Sequence, residues 1–299
     1  MILGCLVSCG LWGSAYPCVK IGYELFGITG SDVASRLVFA GTRFTIAGIM
    51  VVVGVSIAQR RALLPAKRDL GAIGILALFQ TVLQYFFFYG GLSHAAGVTS
   101  SIIGAAAYFF AILFAALIFK TENLTRKAVI GCTIGFAGVV LVNLGGSGDA
   151  AFSFALNGEG FILLSSVAGA ISTCFIAVLG RTHDSVLLSG WQFVTGGIVL
   201  LGCGLAMGGS LCPISPGPAL ALILYMGFIS AMAYTLWSRL LAANPVSRVS
   251  IFGFMTPVFG AAMSAVLLGE TDAVNPLFAL IALALVSAGI VIVNRPNSQ

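Results

Sequence analysis

Charge is what this chain has least of. Only 8% of its 299 residues are Asp, Glu, Lys or Arg, against roughly 25% in a soluble globular domain. With 59% hydrophobic residues and a mean hydropathy of +1.10, the composition excludes a water-soluble fold and implies a chain whose solvent is the bilayer. Acids are the scarcest of all: the 9 Asp and Glu sit at the ends of apolar runs or between them, and none in the middle of one. That absence removes the buried carboxylate beside which an exporter of lipophilic cations would desolvate its substrate, and with it the simplest proton-exchange relay. The 2 histidines, His94 and His183, fall near turns, so neither is a central relay. The 7 cysteines are an odd number in or at the ends of apolar runs, which argues against a disulfide framework. Cys5 and Cys9 share a helix face but have no His or carboxylate beside them, so no metal site is expected. No cofactor loop, nucleophile elbow or nucleophile-base constellation stands out, and neither a cofactor nor enzyme activity is expected. No basic stripe with interleaved aromatics points to a nucleic-acid partner.

What is present is a series of long apolar runs, roughly 3–24, 34–58, 70–92, 96–119, 127–145, 158–180, 186–207, 218–242, 246–269 and 274–293. They do not alternate as barrel strands would, and their Gly, Ala and Ser content fits close helix packing, as in the Gly131, Gly135, Gly138 row. The expectation is an all-α integral membrane protein of ten transmembrane helices. The first run has neither a basic n-region nor a small-residue cleavage site and reads as a retained helix. Eleven of the 14 basic residues (Arg60, Arg61, Lys67, Arg68, Lys120, Arg126, Lys127, Arg181, Arg239, Arg248 and Arg295) fall on the side shared by both termini. The positive-inside rule then puts both termini in the cytoplasm. The net charge of +5 is topological information.

Two stretches resemble each other. AAAYFFAILFAALIFKTENLT (105–125) aligns with GFMTPVFGAAMSAVLLGETDA (253–273), so that Glu122 meets Glu270, and GFAGVVLVN (135–143) resembles VSAGIVIVN (286–294). The chain reads as two five-helix halves, 1–145 and 146–299. Because five is odd, the second half enters the membrane upside down, the inverted-repeat plan of alternating-access transporters. With this plan, WGSAYPCVK, TRFTIAG, the Glu122 turn and TPVFGAAMSAVLLGE resemble the ten-helix, EamA-type branch of the drug/metabolite transporter superfamily. The resemblance covers nearly the whole chain. It implies a central cavity between the halves, with Lys20 and Arg43 at the family's usual basic positions. The first half departs from the pattern, because Phe109 stands where the second half keeps Pro257.

Candidate solute-binding residues follow from helix faces. Lys20, Tyr16 and Trp12 are spaced by four on the first helix and form one polar and aromatic stripe. Lys20 either lines a cavity or snorkels to the headgroups and pairs with Glu24. Arg43 lies about 10 Å deeper than Arg36 by helical rise. Either it works in a cavity or it ties helices together through backbone carbonyls. Gln80 and Gln84 share a face of the third helix, where they bind solute, water or another helix. Tyr108 and Tyr234 sit deep enough to line a cavity. Trp191 with Gln192, and Trp237, lie near predicted cytoplasmic ends, where an interfacial belt would hold the tryptophans. A cavity biased positive by Lys20 and Arg43 favours a carboxylate-bearing solute. The expected function is thus inner (plasma) membrane transport of small polar metabolites, amino acids or related carboxylates first, by a monomer or weak dimer. The rivals are broad efflux of hydrophobic compounds and a non-transporting scaffold or receptor.

Overall fold

The computed structural model describes residues 1–95, 97–144, 155–268 and 276–295. Among them no strand occurs. The helical segments are α1 (Ile2–Leu25), α2 (Val33–Gln59), α3 (Lys67–Leu92), α4 (Gly97–Leu117), α5 (Arg126–Leu144), α6 (Leu156–Leu179), α7 (Ser185–Ala206), α8 (Pro216–Ala243), α9 (Val246–Leu267) and α10 (Pro276–Asn294). Among the described residues, 9 helices are long and apolar enough to cross a membrane. α5 stands outside that set; its 19 residues open on Arg126 and Lys127. The halves' boundary at 145/146 and the acids Asp149, Glu270 and Asp272 lie outside the described residues.

Local chemistry sets several boundaries. Asp32 caps α2 by accepting the Ser35 amide at 2.9 Å, and Asp184 caps α7 by accepting that of Val186 at 2.8 Å. A proline opens α8 in its first turn, where a missing N–H costs nothing. Two segments are irregular inside. α3 carries a π turn over Ala77–Leu83, and α9 passes through a 3-10 turn at Ile251–Phe254 before resuming at Met255. The second has a covalent cause: Pro257 has no amide proton to give to the Gly253 carbonyl.

The helices pack in reciprocal pairs. α2 lies along α7 and α5 along α10; α1 rests on α8 and α9, and α6 on α3 and α4; α8 also touches α2, and α3 touches α7. The α2–α7 crossing is a seam of glycines. A Cβ on Gly41 would lie 2.4 Å from the Leu201 nitrogen, and one on Gly197 would lie 2.5 Å from that of Thr45. The row read from the sequence in α5 behaves similarly: Gly131 and Gly138 face α10, and Gly135 faces Phe254 of α9. Without a hydrophobic driving force between helices in lipid, this close backbone approach is what gives them dispersion contact.

Candidate functional site

Arg43 occupies the middle of α2, and only 4% of it is exposed. Its Nε donates to Ser230 Oγ on α8 at 2.9 Å, and that hydroxyl in turn donates to the Met226 carbonyl at 3.1 Å. The guanidinium also lies over the Phe44 ring, 4.9 Å from its centre, in cation–π range. Both contacts are with neutral groups. Asp32, the acid preceding it on α2, is eleven residues away, about 16 Å along the helix.

Around Arg43 the rings form a continuous wall. Phe44 stacks on Phe193 of α7 at 5.2 Å and tilts against Tyr85 of α3 at 4.4 Å. Phe193 meets Tyr234 of α8 edge-on at 4.9 Å, and Trp12 of α1 meets Tyr234 and Trp237 at 4.9 and 5.0 Å. The Tyr85 and Tyr234 hydroxyls share a hydrogen bond of 2.6 Å. The Trp12 Nε1 is buried with no hydrogen-bond partner among the described residues. Besides α2, the four helices α1, α3, α7 and α8 thus supply the aromatic and hydroxyl surroundings of one arginine.

Of the residues picked from sequence, Arg43, Tyr234 and Trp12 are brought together here. Tyr16 is 45% exposed and lies against Gly260 of α9, where a Cβ would come 2.8 Å from its Cδ2. Lys20 lies on the exposed stripe of α1. Tyr108 is elsewhere: its ring covers Gly253 and meets Phe254 edge-on at 5.6 Å. Gln80 and Gln84 both lie against α6, the first beside Ile176 and the second beside Gly169. Gln80 is buried and borders a void of about 10 Å³ with Leu76, Ile176, Ser189 and Ser238, room for about one water. Gln84 packs on Gly169 of α6, and its carbonyl accepts Ser165 Oγ at 2.7 Å. Thr81, inside the π turn, donates its hydroxyl to Gln192 Oε1 at 2.7 Å. The expectation for Trp237 is corrected, from an interfacial ring to a buried one. Tyr85, Ser230, Phe44 and Phe193 were not singled out from sequence. Ser230 could have been: it lies one turn before Tyr234 on the face that meets α2.

The end of the bundle rich in basic residues is tied across the chain. His183 Nδ1 lies 2.7 Å from Asp69 Oδ1, Trp191 Nε1 donates to the Leu63 carbonyl at 2.8 Å, and Glu122 accepts from the Ser247 amide and hydroxyl, each at 2.9 Å. Burial pushes the Glu122 carboxyl above its ordinary value, and the Ser247 hydrogen bonds pull it back.

Comparison with known proteins fits this architecture. The sequence profile of the EamA-like transporter family matches residues 1–144 and 156–295. The chain is similar to a WAT1-related chloroplastic protein of Arabidopsis thaliana, 26% identical over 96% of this chain and 68% of that protein. It is also similar to a probable terminal-alkyne amino-acid exporter of Streptantibioticus cattleyicolor, 25% identical over 95% and 90% of the two chains. The uncharacterized inner membrane transporter YedA of Escherichia coli is 24% identical over 87% and 80%. A solved crystal structure superposes with a TM-score of 0.78 over 98% of this chain and 95% of its own, at 18% identity, which shows a shared fold. With nearly every described residue inside the two matched segments, the chain belongs to the EamA-like transporter family.

Proposed function

We propose that this protein is an alternating-access transporter of the inner (plasma) membrane, built of ten spans in two inverted halves, 1–145 and 146–299, with cytoplasmic termini. Its solute is a small polar metabolite bearing a carboxylate, with amino acids as the leading class. The reciprocal packing supports the repeat, because exchanging each helix of the first half for its counterpart in the second preserves the most extensive pairings, α2–α7, α5–α10, α1–α8 with α3–α6 and α1–α9 with α4–α6, while α6–α8 and α5–α9 have no counterpart of similar extent. The positive-inside rule makes the tied, basic end cytoplasmic. The contacts Asp69–His183 and Glu122–Ser247 then hold a cytoplasm-closed state and part in each cycle. Catalysis plays no role; the solute crosses unchanged. The name of the Streptantibioticus cattleyicolor relative as an amino-acid exporter supports the solute class.

The observation that carries the reading is Arg43: a buried guanidinium whose hydrogen-bond acceptor is a neutral hydroxyl retains a strong preference for an anion. Arg43, Trp12 and Tyr234 form its centre, with Tyr85 and Ser230 added. Lys20, Tyr16, Gln80, Gln84 and Tyr108 belong to its approaches or its packing. Broad efflux of hydrophobic compounds is the second reading, favoured by the aromatic wall; those rings are packed on one another, which leaves them less free to receive a guest. Thermal stability in detergent tests the assignment, using amino acids, their amides, sugars and organic cations. A carboxylate is expected to stabilise the wild type, by about 2.7 kcal/mol at 100 times its dissociation constant, and not to stabilise Arg43→Met. Stabilisation by neutral or cationic compounds, undiminished in that variant, would sink the carboxylate reading. No response to any compound, with no exchange in vesicles, would favour the scaffold.

A further inference from the structure

Arg36 is the second buried arginine of α2, and the reading above does not use it. It lies seven residues before Arg43, two helical turns and about 10.5 Å away on the same face. It is 6% exposed, and both its Nε and its Nη1 are buried with no hydrogen-bond partner among the described residues. Its guanidinium carbon stands 5.0 Å from the centre of the Tyr23 ring on α1, and the Tyr23 hydroxyl is buried beside that of Tyr89 without a hydrogen bond of full geometry among the described residues. Nη2 points toward the 26–32 turn, where a Cβ on Gly30 would lie 3.8 Å from it. Asp32, one turn earlier, accepts the Ser35 amide on Oδ1 and leaves those donors unfilled.

Burying a guanidinium is costly, and burying one with idle N–H groups more so. A tyrosine face returns part of that cost but accepts none of the in-plane hydrogen bonds. The unsatisfied set is dominated by donors: guanidinium nitrogens, which can only donate, and a phenol, which can do so. Its complement is a small oxyanion. The surroundings also link it to Arg43, because Tyr23 and Tyr89 pack in the same cluster as Phe44, Tyr85, Tyr234 and Trp12. Tyr89 lies 6.0 Å from Tyr85, ring to ring. One tyrosine-lined strip therefore runs from one arginine to the other.

We propose that Arg36 and the Tyr23 hydroxyl form a second carboxylate site, toward the Asp32 end of α2, where the solute's carboxylate docks before or after Arg43. The carboxylate class rests on the function proposed above; the unfilled donors do not. The test is NMR of 15N-arginine-labelled protein in a neutral detergent, with Arg36→Lys and Arg43→Lys identifying the two Nε signals by their loss. Sodium acetate is titrated against sodium chloride and sodium methyl phosphate at matched ionic strength. The Arg36 signal is expected to move saturably with acetate and not with chloride. Tyr23→Phe should raise the midpoint concentration roughly tenfold, the worth of one hydrogen bond to a charged group. An Arg36 signal that ignores acetate, follows chloride equally or answers only methyl phosphate overturns the site; the last would mark a phosphate or lipid-headgroup position. An unchanged midpoint in Tyr23→Phe overturns the tyrosine's part. The Arg43 signal, read in the same spectra, separates the two proposals. Arg36 responding beside a silent Arg43 keeps the second site and removes the central one, and the reverse pattern removes the second site alone.

Discussion

α4 and α9 are counterparts under the repeat read from the sequence, yet they are built differently. α4 runs as one helix through Phe109, whereas α9 changes to a 3-10 turn just before Pro257. A single residue type accounts for the difference, since proline withdraws one amide proton and phenylalanine does not. The two helices also meet at the break: Tyr108 of α4 lies over Gly253, the residue whose carbonyl Pro257 fails to engage. The first half has its own irregularity, one helix earlier, in the π turn of α3. Under that repeat, the two stretches would share packing partners and still place their deformable turns in different helices.

The comparison can be broken most severely by giving α4 the proline it lacks. Phe109→Pro should cost about 3 kcal/mol or more, read as a loss of thermal stability in detergent. A variant as stable as the parent would show that α4 and α9 are interchangeable at this level. Next comes the interlock. Gly253→Val puts a side chain where a Cβ would already lie 2.1 Å from Tyr108 Cε1, and overpacking of this sort costs about 1–3 kcal/mol. Tyr108→Ala should recover part of that loss if the ring is the obstacle; no recovery would place the strain in the backbone turn. The smallest effects concern the turn after α4. Glu122→Ala leaves the Ser247 amide without its acceptor, for about 1–3 kcal/mol, while Glu122→Gln can keep both hydrogen bonds and should change stability by less than about 1 kcal/mol. Because the folded protein holds the Glu122 proton more tightly than the unfolded chain does, its contribution is full below the unfolded pKa and is lost as pH rises through the folded one. The Gln variant should remove that portion of the pH dependence. A thermal midpoint that tracks pH identically in both proteins would mean that Glu122 does not report it.

The helical class, the membrane setting and the glycine packing of α5 were legible because they depend on composition and on a local 3.6-residue period. Arg43 was legible for a related reason: a charge in the interior of an apolar run is conspicuous in one dimension. Tyr85 was not, because it stands in the run QYFFFY among other aromatic residues, and nothing in one dimension separates a ring that meets Phe44 and Tyr234 from its neighbours. Trp237 was misread because distance from a helix end does not reveal whether a neighbouring helix covers the ring, and Trp12 covers it. Arg36 was visible only as an arginine near a helix end; its idle donors depend on Tyr23 and the 26–32 turn folding over it.

The seam between α2 and α7 bears on the mutational history of the chain. Every residue other than glycine brings a Cβ, and at Gly41, Gly48 and Gly197 that carbon would meet backbone atoms of the facing helix at 2.4–2.5 Å. Backbone cannot step aside as the tip of a long side chain can, so no nucleotide change in those codons that alters the residue yields a tolerable alternative. Selection can hold such positions only by discarding variants, and the seam changes only when both helices move apart together.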